Sequence, residues 1–421
     1  VCMALIKKGV TGMKDILPEE MIIRDYLINI IKKTYGSFGF TSIETPAMEH
    51  IENLLSKQGG DNEKLIFKVL KRGEKLKLDD IKDENDLVDA GLRYDLTLPL
   101  ARYYSNNQAN LPNPFKALQI GNVYRADRPQ KGRFRQFTQC DIDILGEASN
   151  LAEIELILAT TKALSEIAKG KKFTVRINDR RILLAMALFA GYSEENISNV
   201  FIILDKMDKI GLDGVKKELT ELDGADKCEK YLNLFDGLSG DTKALLSLKE
   251  SLNGFIEEGV LDSLSDIINT VLDVKDNDFS LEFDPTLVRG MGYYTGTIFE
   301  VSMEGFSGSV AGGGRYDKMI GKFTGSDTPA CGFSIGFERI ITILMDSGFK
   351  IPDESKKIAF LYEKNIDANV LTSILKEASA LREAGNIVLV SKMNKNKKFQ
   401  KEGLEKQGYI EFKEFYREAL K

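Results

Sequence analysis

Apolar positions recur at helical spacing in the first ordered stretch. In DILPEEMIIRDYLINIIKKTYG, Ile23, Leu27, Ile30 and Ile31 form one stripe. Pro18 suits a first helical position, Glu19 and Glu20 complement the positive helix start, and Gly36 suits the stop. Residues 39–46, GFTSIETP, predict a short strand closed by proline. Period two takes over between 91 and 145. In LRYDLTLP, Leu92, Tyr94 and Leu96 alternate with Arg93, Asp95 and Thr97, which predicts a strand. Residues 137–145 alternate again, with Gln139, Asp141 and Asp143 on one face and Cys140, Ile142 and Ile144 on the other. Residues 149–168 return to helix, with Asn150 and Glu153 as a candidate capping box. Residues 178–275 read as mostly helical, broken by glycines. Strand patterning resumes at 280–283 and 297–303 and then meets SGSVAGGGRYD; a helix follows near 336–345. A polar segment with a proline (348–357) precedes KIAFLY, a helix near 368–383 and NIVLVS, the pattern of a small α/β domain.

The 421 residues suffice for two or three domains, and 43 % apolar with 29 % charged residues is a globular rather than a disordered profile. No apolar run reaches spanning length, which predicts no membrane segment. The start, VCMALIKKGV, lacks an apolar core and a cleavage site, so no export is expected; Val1-Cys2-Met3 points to a natural start at Met3 or to added residues. Cys2, Cys140, Cys228 and Cys331 are too dispersed for a zinc site or a disulfide framework and read as reduced cytoplasmic thiols. A net charge of −6 leaves nucleic-acid binding to local basic patches. With His50 the single histidine, multi-histidine metal sites are excluded, as is Ser-His-Asp chemistry unless His50 is the base. Catalysis must run on arginine, carboxylates, tyrosine and backbone.

Four runs offer that chemistry. YRADRPQKGRFRQF sets Arg125, Arg128, Lys131, Arg133 and Arg135 in a loop between two strand-like segments. A solvated hairpin tip would account for such a run taken alone. The next strand, however, carries Gln139, Asp141 and Asp143 on one face. Cations at one end and acids at the other suit a ligand with phosphate and amine groups, because arginine presents a rigid fork matching phosphate oxygens. LVRGMGYYTGTIFEV places Arg289 beside glycines and Tyr293 and Tyr294; a structural ion pair is the plainer alternative. GSVAGGGRYD lacks the Lys-Ser/Thr ending of a phosphate-binding P-loop, so Gly312, Gly313 and Gly314 read as strand residues with a ligand or chain segment passing close. TPACGFSIGFERI carries Arg339 on the helix after a strand.

Together these runs resemble the histidyl-tRNA synthetase family from about residue 9 to 340. GFTSIETP resembles class II motif 1, YRADRPQKGRFRQFTQCDIDI motif 2 and CGFSIGFERI motif 3; LVRGMGYYTG is similar to the family's histidine-specific signature. LRYDLT and QCDIDI look like the archaeal and eukaryotic branch. Where many members carry Asp, this chain has Gly292. The resemblance implies an α+β fold: a class II antiparallel sheet flanked by helices (1–177 and 276–347), a helical insertion (178–275), a linker (348–356) and a shortened anticodon-binding-like α/β domain (357–421). It implies a cytoplasmic homodimer that makes histidyl-adenylate from L-histidine and ATP, with Mg2+ on the ATP phosphates, and charges tRNA(His). Residue by residue, it gives Arg125 the α-phosphate, Arg133 and Arg339 the β- and γ-phosphates, and Phe137 the adenine face, with Arg339 on its other side. Arg289 would meet the α-phosphate and the histidine carboxylate. Asp95, Thr97, Gln139 and Tyr316 would bind the α-ammonium, Asp143 and Tyr294 the ring nitrogens, and Tyr293 would join the histidine site. No protein metal ligands are implied. Two other readings stay open: a histidine-binding regulatory subunit of ATP phosphoribosyltransferase, and a class II enzyme for another amino acid.

Overall fold

The computed structural model describes residues 5–417 except 59, 80, 131, 237, 239, 290–293, 307, 353 and 354, with 56–58, 60–62 and 208 described by backbone alone. The chain forms two compact units, residues 1–16 with 24–347, and residues 17–23 with 348–421.

Strands in chain order are β1 (Thr41–Ile43), β2 (Met48–His50), β3 (Lys68–Leu70), β4 (Val88–Leu92), β5 (Phe115–Tyr124), β6 (Gln136–Leu145) and β7 (Phe173–Asp179). They continue with β8 (Ser280–Phe283), β9 (Thr297–Met303), β10 (Ser309–Arg315), β11 (Ala330–Ile335), β12 (Lys357–Tyr362), β13 (Ile387–Lys392) and β14 (Glu411–Phe415). The first unit is built on an eight-stranded sheet in the order β1-β5-β6-β11-β10-β9-β7-β8. Its inner ladders are antiparallel; only the edge pairs β1–β5 and β7–β8 are parallel. A parallel pair needs a long crossover. Between β7 and β8 that crossover is a group of helices running from Arg180–Ala190 to Val260–Val274. The second unit carries an all-parallel sheet, β13-β12-β14, with the helix Ala368–Glu383 against it.

The helix Pro18–Ser37 buries Ile23, Leu27 and Ile31 of the predicted stripe, and its fourth member, Ile30, is half-buried. Arg24 on the same helix is buried and reaches Glu338 of the helix Phe337–Asp346, Nη1 to Oε1 at 3.0 Å. Glu338 Oε1 also accepts from the Thr138 backbone on β6 at 3.1 Å.

Two local expectations are corrected. The strand predicted over LRYDLTLP stops at Leu92, and Thr97 opens the helix Thr97–Asn107. Asp95 diverts the chain, its Oδ1 accepting from Leu98 N at 3.1 Å, an N-terminal capping bond that competes with strand pairing. The Asn150–Glu153 capping box does not form, because tertiary partners take both side chains. Asn150 exchanges hydrogen bonds with Ser263, and Glu153 pairs with Arg315 at 2.6 and 2.7 Å.

Candidate active site

Strand register assembles one polar row across the large sheet. Gln119 on β5 faces Asp141 on β6, which faces Ser334 on β11, then Gly312 on β10, Glu300 on β9 and Arg176 on β7. Two residues along, a parallel row runs Ala117, Asp143, Gly332, Gly314, Ile298, Asn178. Directly opposed residues share a face, so both rows look the same way.

The glycines in these rows hold room for functional side chains. A Cβ on Gly312 would fall 2.4 Å from Arg289 Cζ, one on Gly332 2.0 Å from Asp143 Oδ1, and one on Gly314 3.0 Å from the Tyr294 ring. The sequence reading of the GGG run as strand with a chain segment passing close therefore holds, and at Gly312 and Gly314 the passing groups include the predicted site residues Arg289 and Tyr294.

Asp143 is 3 % exposed and accepts from the Tyr316 hydroxyl at 2.5 Å; Tyr316 is buried as well. Half-buried Tyr294 sits among Arg289, Cys331, Asp141 and Asp143. Desolvation, only partly offset by Arg289, pushes its phenol up to about 12, so it stays protonated at neutral pH. Asp141 accepts from Ser334 Oγ, and the Gln139 amide nitrogen lies 3.4 Å from both. Gln139 Oε1 is enclosed with no hydrogen-bond partner among the described residues. Asp95 and buried Thr97 come from the turn that starts the helix Thr97–Asn107. Gln119 Nε2 donates to Leu96 O at 3.1 Å, which ties that turn to the end of the polar row.

The arginines approach from three stretches of chain. Arg125 donates to Tyr94 O at 3.0 Å and lies over the Tyr94 and Phe137 rings at 4.2 and 5.1 Å, a cation–π sandwich that fixes its plane. Arg133 pairs with Asp127 at 3.0 Å. Arg289 pairs with Glu300, and Arg339 donates to the Ser309 carbonyl. The Arg339 guanidinium is depressed below the usual arginine value, first by partial enclosure and then by neighbouring Arg289 and Arg133, with Glu300 opposing. The residue as a whole is exposed. Tyr94 feels both Arg125 and Arg133.

Arg135 is used differently, donating to Asp127 O at 3.0 Å and Thr11 O at 3.3 Å, so it holds the loop together. Tyr293, Gly292 and Lys131 lie outside the described residues.

Sequence reasoning missed the partners: Glu300, Asp127, Tyr94, Ser334 and Arg176. Glu300, Ser334 and Arg176 reach the site across strands and Tyr94 through its ring, which no local spacing announces; Asp127 lies in the same loop as Arg133. The alternation of β6 had already put Asp141 on the side of Asp143.

A sheet of this order, with Arg289 over Gly312 and the buried Asp143–Tyr316 pair on the same face, is the architecture of a class II aminoacyl-tRNA synthetase catalytic unit. Residues 12–340 match the family described as histidyl-tRNA synthetase. The histidine–tRNA ligase of Leifsonia xyli subsp. xyli is 42 % identical over 401 residues, 92 % of this chain and 90 % of that protein. The crystal structure of histidyl-tRNA synthetase from Nostoc sp. PCC 7120 superposes with a TM-score of 0.79 at 29 % identity, covering 96 % of this chain and 90 % of that one. An ATP phosphoribosyltransferase regulatory subunit/histidyl-tRNA synthetase from Bacillus halodurans reaches a TM-score of 0.78 at 20 % identity over 99 % of this chain and all of that one, which shows the fold alone. This chain belongs to the histidyl-tRNA synthetase family.

Proposed function

We infer that this chain activates L-histidine with ATP and transfers it to tRNA(His). What supports this reading most is Arg289 lying against Gly312 and beside Tyr294, with Asp143 bonded to Tyr316 two residues along the same sheet face. In the first step the histidine carboxylate attacks the α-phosphorus and pyrophosphate leaves. Two anions must meet, and fixed guanidinium groups lower that repulsion and stabilise the charge of the transition state. Arg125 and Arg289 take the α-phosphate, Arg289 also the carboxylate, and Arg133 and Arg339 the departing phosphates. Phe137 takes the adenine face. The attacking carboxylate is already ionised, so no general base is required, which suits a chain with one histidine.

Asp95, Thr97, Gln139 and Tyr316 bind the α-ammonium. Support comes from the enclosed Gln139 Oε1, an acceptor placed for a cationic donor. Asp143 and the protonated Tyr294 take the two imidazole nitrogens, and Tyr293 belongs to the same pocket. Mg2+ enters with the nucleotide phosphates as part of the substrate. The chain works as a homodimer in the cytoplasm. No helix among the described residues is long and apolar enough to cross a membrane. The divisions at 1–177 with 276–347, 178–275, 348–356 and 357–421 are the functional segments of this reading. An archaeal- and eukaryotic-like character is proposed for LRYDLT and QCDIDI alone; the relative and structures named above are bacterial.

Histidine-dependent ATP–pyrophosphate exchange tests the reading. The full chain should exchange, and Arg289→Ala should lose on the order of 10²–10³ in rate, as for removal of one preorganised donor. No exchange from folded protein would favour a histidine-binding regulatory role instead.

A further inference from the structure

Arg289 leaves the chain from an irregular segment after β8, so its direction must be set by neighbours. Its guanidinium lies on the bare backbone of Gly312, where a Cβ would be 2.4 Å from Cζ. The Arg289 carbonyl accepts from Arg180 Nη1 at 3.2 Å. Glu300 is the cross-strand neighbour of Gly312 on one side and of Arg176 on the other. One Glu300 oxygen, Oε2, pairs with Arg289; the other, Oε1, receives Arg176 Nη2 at 2.5 Å. Arg176 Nη1 reaches Asp284 Oδ2 at 3.2 Å. Asp284 in turn accepts from Thr286 N at 2.9 Å and Thr286 Oγ1 at 2.6 Å, which closes the turn leading to Arg289. The ion-pair chain Asp284–Arg176–Glu300–Arg289 therefore begins and ends on the same segment, five residues apart, and is clamped in its middle by two strands of the sheet.

We propose that Glu300 is the positioning residue for the reaction's central arginine: it fixes the Arg289 guanidinium over Gly312 and offsets part of its charge before the nucleotide arrives. This rests on the reading of Arg289 as the contact to the α-phosphate and the histidine carboxylate. A guanidinium held in place needs no reorganisation as charge develops, whereas a mobile one must be reoriented at each turnover. The carboxylate also tempers the field of Arg289 and Arg339, both close to it, so ground-state attraction for the polyanionic nucleotide is restrained while transition-state alignment is kept. Arginine and glutamate thus divide the work: one touches the substrate, and the other decides where that touch falls.

The signature separates kcat from KM. Glu300→Gln keeps the shape of the side chain and removes its charge. In ATP–pyrophosphate exchange its kcat should fall by up to about 10²-fold, the scale of a misplaced reacting group, while KM for ATP stays level or drops. Glu300→Asp, which restores the charge at shorter reach, should recover part of kcat. A kcat indistinguishable from wild type, or a raised KM at unchanged kcat, overturns the proposal. Should Glu300→Gln fail to fold by circular dichroism, Arg176→Gln decides, since it releases Glu300 from the far strand. The same kcat-only loss is expected of it, and an unchanged kcat refutes the idea. Arg289→Ala is the control: full exchange in that variant removes the parent reading, whereas abolished exchange there with normal Glu300→Gln removes only this inference.

Discussion

Three site side chains owe their positions to missing methyl groups. Gly332 is the sharpest case, because a Cβ there would stand 2.0 Å from Asp143 Oδ1. Gly332→Ala should therefore push Asp143 off its Tyr316 hydrogen bond and raise KM for histidine far more than KM for ATP. Equal KM values for both substrates relative to wild type would count against the pocket assignment. Tyr294 allows a second test at this scale. Its phenol is raised from the ordinary 10.0 to about 12 in the folded chain. Between those values the unfolded chain has released the proton and the folded one retains it. Stability therefore declines as pH climbs through that window, and the protonated phenol contributes fully below it. Denaturant titrations at about pH 9 and about pH 11 should show a smaller decline in Tyr294→Phe than in wild type; equal declines would mean that the phenol is not held above its ordinary value. Asp143 and Tyr294 stood out in the sequence runs, and the structure sets them near one another. Glu300 and Ser334 did not stand out, because cross-strand neighbours depend on register, and register is set by partners that lie far along the chain.

Helices and strands with a clean period were readable to within a residue or two. β9 and the helix Pro18–Ser37 fall where the pattern put them. LRYDLTLP failed because three alternations fit a strand and a strand–turn–helix equally well, and Asp95 decided for the helix. Asn150 and Glu153 carried a capping signature but were claimed by Ser263 and Arg315. Three-residue β2 and β3 gave too few residues for any period to show. Between elements, the buried Arg24–Glu338 pair joins the first long helix to the one that bears Arg339, and Glu338 also holds the Thr138 backbone next to Phe137. Removing one member of such a pair leaves an uncompensated buried charge, which costs roughly 3–5 kcal/mol. Glu338→Ala should lose about that much in chemical denaturation, while the double variant Arg24→Met/Glu338→Leu should lose less because neither charge remains. A double variant less stable than Glu338→Ala would show that the pair itself, rather than the stranded charge, dominates.

At the scale of the whole chain, the strand order β1-β5-β6-β11-β10-β9-β7-β8 brings residues near 125, 140, 300 and 335 into one sheet, and no local pattern encodes that order. Only the motif resemblance made it foreseeable. The same scale sets the electrostatic problem of an acidic chain, net charge −6, that must handle a polyanionic RNA. The basic stretch near residues 392–401 bears on it. In the structure Lys397 and Lys401 are committed to Glu414, at 2.6 Å for Lys397. Lys392, Lys395 and Lys398 remain exposed. If the second unit meets tRNA backbone, those three lysines bind it. Replacing them together with Gln should lower kcat/KM for tRNA in the charging reaction and flatten its dependence on log salt by ~0.7–0.9 for each phosphate no longer neutralised. ATP–pyrophosphate exchange should be untouched, because no tRNA takes part in it. A charging rate and salt slope identical to wild type would assign RNA recognition to other surfaces and leave these lysines as solvated charges; a fall in exchange as well would mean that the substitutions disturb the first unit rather than RNA binding.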